Sequence, residues 1–219
     1  MKRTCTIIIL VFSVLSAFAQ NKNEETVSID EVMNACISLR DAVETYDTTA
    51  IHQSADVLRA LKTIEFIGLY CKDDTVASLN GHLVFDENFA DSLAKDKNAY
   101  QHAEEILQES IEHRGQNPDG SIKTKTCFVK AGETTTHSFR AKGYQELAVV
   151  AEAGGLVTMK IHVTNNAGLD VRHDDTKDVV RGRPHRRTSF DLPSDRSNFV
   201  ELKVINCCNK DISFVVISN

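Results

Sequence analysis

The 219-residue chain has no tryptophan, and aromatic residues make up only 6% of it. That scarcity argues against an aromatic platform for stacking sugars. There is no H-E-x-x-H, no G-x-S-x-G and no Walker loop, so the local signatures of zinc proteases, α/β-hydrolases and P-loop enzymes are absent. A catalytic triad assembled in space needs no such signature, yet no nucleophile stands visibly beside a base. There is no C-x-x-C either, and none of the cysteine spacings follows a zinc pattern. No apolar run after the first nineteen residues is long enough to span a membrane.

What is present begins with a leader. Lys2 and Arg3 precede the apolar stretch "TIIILVFSVLSAFA", which ends in Ala17-Phe18-Ala19. A charged start, a short apolar run and a small-x-small site make residues 1–19 a predicted secretory signal peptide, with Gln20 starting the mature chain. A membrane anchor needs roughly 20 apolar residues, and no cysteine sits at the cleavage point for lipid attachment. The expected location is periplasmic or secreted in a bacterium, with no membrane insertion after cleavage. Cleavage leaves five cysteines, Cys36, Cys71, Cys127, Cys207 and Cys208, in a compartment that permits disulfides. The odd count leaves at least one thiol unpaired or available between copies.

Charge divides the chain in two. Residues 20–115 carry 19 acidic and 8 basic side chains, and residues 116–219 carry 12 acidic and 15 basic. The first part has a helical period. Val32, Ala35, Cys36, Leu39, Ala42, Val43 and Tyr46 form one stripe, and Ser28 with Glu31 makes a capping box. Asp47-Thr48-Thr49 breaks and restarts the chain. Ile51, Ala55, Leu58, Leu61, Ile64 and Ile67 then carry the period to about Tyr70, which predicts an antiparallel partner. A short helix over Glu87–Ala94 and a longer one over about Asn98–His113 follow. This hairpin argues against a Cys36–Cys71 bridge, because ~1.5 Å of rise per residue offsets the two along the axis. Cys36 reads instead as a small core residue.

"GQNPDGS" closes the helical part, with residues 116–122 as a linker. The period then becomes two. Val157, Met159, Ile161 and Val163 alternate with polar residues, as do Val200, Leu202 and Val204. Further strands are predicted over Thr126–Lys130, Thr134–Arg140, Tyr144–Glu152, around Phe190 and Leu192, and over Ile212–Ser218. Seven or eight short strands separated by turns predict an antiparallel, jelly-roll-like β-sandwich over residues 123–219. The expected fold is thus α+β: an antiparallel helical bundle over residues 20–115, then the sandwich.

One stretch carries a family likeness. "VVAEAGGLVTMKIHVTNNAGLDVRHDDT" and the closing "FVELKVINCCNKDISFVVISN" resemble the bacterial pre-peptidase C-terminal domain. In that family a strand runs into a D-x-x-G-x-x-V turn followed by an acidic residue. Here Asn165-Asn166-Ala167-Gly168 precedes Val171 and Asp174; asparagine replaces the aspartate, and the closing tyrosine is missing. The resemblance covers the C-terminal half and implies a secreted, noncatalytic accessory or binding module. It implies nothing about the helical half.

Four candidate features remain. "VRGRPHRR", Val180–Arg187, gathers Arg181, Arg183, His185, Arg186 and Arg187 in an acidic protein. Its "RGRP" resembles a minor-groove hook, but export removes it from DNA, so no nucleic-acid role is expected. The remaining readings are a solvated loop, a site for an acidic glycan or phosphate, and a surface docking on the acidic helical half, within the chain or between copies. His173, Asp174 and Asp175 are weak metal candidates, because neighbouring strand residues face opposite sides; no cofactor is expected. If the first and last sandwich strands pair, Cys127 can bridge to Cys207 or Cys208; the alternative is three buried thiols. Asp47-Thr48-Thr49, Asp74-Thr75-Val76 and Asp91-Ser92-Leu93 resemble acceptors for O-glycans on exported bacterial proteins. These features favour a noncatalytic recognition or scaffolding module of the cell envelope, with an envelope protein, an acidic glycan or a second copy as partner. The alternative is a hydrolase whose site lies between the halves and uses His173 and Asp174.

Overall fold

The computed structural model describes residues 27–71, 87–96, 122–164, 170–174 and 182–219. The leader, most of the linker and the helix expected over 98–113 lie outside these residues. Helix α1 (Ile29–Thr45) starts at the capping box read from the sequence. Ser28 N–H donates to Glu31 Oε2 at 2.8 Å, and Glu31 N–H donates to Ser28 Oγ at 3.3 Å. Tyr46 turns left-handed (φ 51°) and ends the helix. The Asp47 carboxylate then accepts the N–H groups of Thr49 and Ala50 at 3.1 and 3.0 Å, which starts α2 (Thr48–Leu61). These side-chain partners satisfy backbone donors that a helix start leaves open. The apolar stripe of α1, Val32, Ala35, Cys36, Leu39 and Ala42, is buried.

Helix α2 stops earlier than its apolar period. Lys62 takes φ 48° and reverses the chain. Ile64–Glu65 then form strand β1 and Tyr70–Cys71 strand β2. The period placed Ile67 inward, yet it is 77% exposed, while Phe66 and Leu69 are buried. The physical reason is a competing partner. Ile64 N–H donates to the Ile122 carbonyl and Phe66 N–H to the Thr124 carbonyl, so this backbone finds a strand distant in sequence. Spacing alone cannot weigh that pairing against another helical turn. Helix α3 (Glu87–Lys95) follows, packed on α2. Asp91-Ser92-Leu93 lies inside it, with Leu93 buried, and Asp47 is occupied as a cap. Asp74-Thr75-Val76 lies outside the described residues.

The remaining strands are β3 (Lys123–Val129), β4 (Thr134–Ala141), β5 (Tyr144–Ala151), β6 (Val157–Thr164), β7 (Asp170–Asp174), β8 (His185–Asp191), β9 (Asn198–Asn206) and β10 (Ile212–Ser218). They build two five-stranded sheets, ordered β1-β3-β10-β5-β8 and β2-β4-β9-β6-β7. Every pairing is antiparallel except β1 with β3. Without the short β1 and β2, four strands face four in the order of a jelly roll. The interior holds Leu147, Val149, Phe214 and Val216 of the first sheet against Phe139, Ile161, Val200 and Leu202 of the second.

The helices have no core separate from the sandwich. Val32, Leu39 and Ile51 share one apolar cluster with Ala148, Val150, Val215 and Ile217, which line the outer face of the first sheet. Fully burying one such leucine or isoleucine contributes about 1.5–3 kcal/mol. The molecule is therefore layered, helix on sheet on sheet. Among the described residues, the bundle expected over 20–115 is a helical hairpin plus α3, and the same span supplies β1 and β2. Ile122, expected at the end of the linker, is buried in this shared cluster.

Candidate recognition site at the helix–sheet junction

The basic segment enters the structure at Gly182; Arg181 and Asp175 lie outside the described residues. A Cβ on Gly182 would meet Cys207 Cβ at 2.6 Å, Cys207 Sγ at 2.8 Å and Leu156 Cβ at 3.0 Å, so only glycine fits. Arg183 and Val157 exchange backbone hydrogen bonds of 2.8 and 3.0 Å, and the Pro184 carbonyl accepts from Ala151 N–H at 2.8 Å. The Gly-Arg-Pro sequence is thus committed to the sandwich. It is not the loose extended segment that a DNA hook requires.

Strand β8 then alternates faces. His185 is level with Val150 and Arg187 with Ala148, both of which face the helices. Arg186 is level with Val149, which faces the interior. Arg183 and Arg187 are exposed, and His185 and Arg186 are half-buried. Arg187 is a clamp: its Nη2 donates to Glu146 Oε1 on β5 at 2.7 Å, and its Nη1 donates to Asp30 Oδ1 in the first turn of α1. The aspartate position also suits the positive end of the helix. One arginine of the segment therefore docks on the acidic helical part within the chain.

Sequence reasoning missed Arg40. It lies four residues after Cys36 and one after Leu39, on the edge of the buried stripe of α1, and only 7% of it is exposed. A charged residue inside an apolar period was the available signal. Its Nε and Nη2 both donate to Asp41 Oδ1, at 2.8 and 2.6 Å. Its Nη1 is buried without a hydrogen-bond partner among the described residues, as is Nδ1 of His185. A buried donor left unsatisfied costs about 1–3 kcal/mol, more when charged. Burial holds the His185 imidazole below its ordinary pKa. The Arg40 guanidinium pushes the same way against the opposing pull of Asp41, and Arg183 and Arg186 add to it.

Of the metal candidates, His173 and Asp174 lie on β7 and Asp175 lies outside the described residues. His173 is the backbone partner of His162 and Asp174 that of Ile161. Among the described residues no three histidine, cysteine or acidic side chains are placed to hold a metal ion. Strand β7 lies at the edge of the second sheet, whereas the described helices cover the first.

The cysteine pairing is corrected too. All five described cysteines stand as thiols. The first and last sandwich strands do pair, but Cys127 is level with Phe214. The Cys208 carbonyl instead meets Gly132 N–H, five residues beyond Cys127. At roughly 3.3 Å per residue along the strand, that exceeds the ~7 Å a bridge tolerates. Cys207 Sγ lies 3.4 Å from Thr158 Oγ1, and Cys208 Sγ accepts from Leu156 N–H at 3.1 Å. Cys127 Sγ points between the sheets, 3.9 Å from His137 Nδ1. The ring's Nε2 is 3.3 Å from Thr135 Oγ1, which is 3.6 Å from Cys71 Sγ. Burial pushes the Cys127 thiol up to about 12, against the pull of Lys125 and helped by Cys71, so it is no nucleophile at neutral pH.

No family model and no curated protein matches the sequence. Among solved structures, the Yersinia pseudotuberculosis-derived mitogen is similar over 45% of this chain and 85% of its own, at 7% identity and a TM-score of 0.35. PliG, the Salmonella Typhimurium periplasmic inhibitor of g-type lysozyme, is similar over 48% and 92%, at 18% identity and a TM-score of 0.28. The xylan-binding domain of Paenibacillus barcinonensis Xyn10C is similar over 48% and 88%, at 8% identity and a TM-score of 0.25. Likeness at these levels carries no argument about activity.

Proposed function

We propose that this chain is an exported, noncatalytic recognition or scaffolding module of the cell envelope. Its sandwich, backed by the helical hairpin, presents a basic segment to an anionic partner, either an acidic glycan or the acidic surface of an envelope protein. The observation that carries the reading is the rigidity of that segment. Gly182 is wedged against Cys207 and Leu156, Arg183 is bridged through its backbone to Val157, and yet its side chain is exposed. A fixed backbone lowers the ordering cost when the exposed guanidinium meets a carboxylate, sulfate or phosphate, and its fork matches their geometry.

The test spares Arg187, whose clamp is structural. The mature chain and an Arg181→Ser/Arg183→Ser variant are measured for binding to acidic glycans and envelope polymers at two salt concentrations. Binding that weakens with salt and is lost in the variant is the expected result. Binding that is unchanged in the variant, or absent from the wild type, refutes the reading.

A further inference from the structure

We infer that the helix–sheet junction holds a small oxyanion, with Arg40 and His185 as its inner ligands. This rests on the recognition reading of the same basic segment and gives it a chemical class. Two orphaned nitrogens belong to elements that meet: Arg40 Nη1 on α1 and His185 Nδ1 on β8 are both buried without partners among the described residues, and Arg187, on the same face of β8 as His185, bonds Asp30 of α1. They come from surfaces that face each other. His185 is level with Val150, which shares the apolar cluster of Leu39, the chain neighbour of Arg40.

The charges acting on the imidazole are Arg40 and Asp41 from α1 and Arg183 from the bridge beside Val157, with Arg186 acting from the opposite face of its own strand. The single carboxylate, Asp41, is already shared by two N–H groups of Arg40. That leaves the Arg40 Nη1 edge without an acceptor, and an imidazole nitrogen that nothing fills. An apolar residue in place of Arg40 would pack at no such cost. A doubly charged oxyanion fits this chemistry, because it accepts from the free guanidinium edge and from a protonated imidazole together. Binding therefore draws a proton onto His185, and affinity rises as pH falls. The anion is either free in solution or a terminal sulfate or phosphate of a larger ligand.

The test uses the mature chain and sulfate, which does not titrate near neutrality. Calorimetric titration with sodium sulfate, against sodium chloride at matched ionic strength, is expected to show one site, about threefold tighter at pH 6 than at pH 8. Arg40→Met abolishes it, and His185→Gln removes the pH dependence without abolishing it. The second variant keeps the test decisive if the first does not fold. Sulfate binding no better than chloride, or full binding by Arg40→Met, overturns the inference. Dextran sulfate forms a second arm. If it competes with inorganic sulfate and is lost in Arg40→Met, the site takes terminal groups. If it is lost only in Arg181→Ser/Arg183→Ser, with no sulfate site found, the inner site falls and the recognition reading stands.

Discussion

Replacing Arg187 with methionine keeps an aliphatic stem and removes both ion pairs that join α1, β5 and β8. The arms differ in exposure: the Arg187, Glu146 and Asp30 side chains are 34%, 19% and 51% exposed. Water screens the Asp30 arm more, so its coupling should sit within the exposed-pair range, about 0.5 kcal/mol. The Glu146 arm is better shielded, and a hydrogen bond between charged groups there should couple by about 1.5 kcal/mol. Asp30 has a second role at the start of α1, worth about 0.3–1 kcal/mol through the helix dipole. A single Asp30→Asn variant would mix the two effects, so the assay is a pair of double-mutant cycles, Arg187→Met with Asp30→Asn and with Glu146→Gln, read by urea unfolding. At about 1 M salt the screening length is near 3 Å, so the Asp30 coupling should vanish while most of the Glu146 coupling persists. A Glu146 coupling below about 0.3 kcal/mol, or an Asp30 coupling larger than it, would refute the clamp.

Two further outcomes follow from the packing. Burial raises the Asp91 pKa, but hydrogen bonds from His52 and Arg59, at 2.8 and 2.7 Å, outweigh it and leave the carboxyl below its ordinary value. A depressed carboxylate stabilises the fold above the unfolded value of 3.8, and that contribution is lost as pH falls through the folded value. Asp91→Asn should therefore cost about 1 kcal/mol at pH 7 and almost nothing at pH 2, measured by urea unfolding; an equal loss at both pH values would show that the carboxylate is not the cause. In thiol labelling of the native protein at pH 8, exposed Cys207 should react first, while Cys127, pushed up to about 12, should react only on unfolding. Peptide mass spectrometry reads the order, and Cys127 modified as fast as Cys207 would contradict its placement between the sheets.

Some of the layering was visible in the strand patterns. Strand β9 alternates buried and open positions, as a sheet with one wet face requires. Strand β10 is buried at all seven positions, and β5 over its last five. Such continuous apolar runs mark strands covered on both faces, here by the second sheet and by α1. From the sequence these runs read only as strands; the fold showed that they lie in the middle and that helices cover them. The basic segment was equally conspicuous, but its division of labour was not. Gly182 is a close-contact residue, and Arg187, which looked like its neighbours, is a clamp. Arg40 was passed over, because a lone arginine at the edge of a helix stripe acquires meaning only once its burial is known.

Local chemistry was therefore decided by the sequence itself. The capping box at Ser28, the restart at Asp47 and the strands with period two depend on residues a few positions apart, and near neighbours compete little with distant ones. Tertiary structure alone decided three things. Ile64–Glu65 left the helical period for β3, Cys127 turned away from Cys207 and Cys208, and His173 fell on the sheet that the described helices do not cover. Each depends on pairing between segments far apart in the chain, where register and layer order set which side chains meet. A one-residue change of register exchanges the two faces of a strand, and no spacing within a single segment records which register its distant partner adopts.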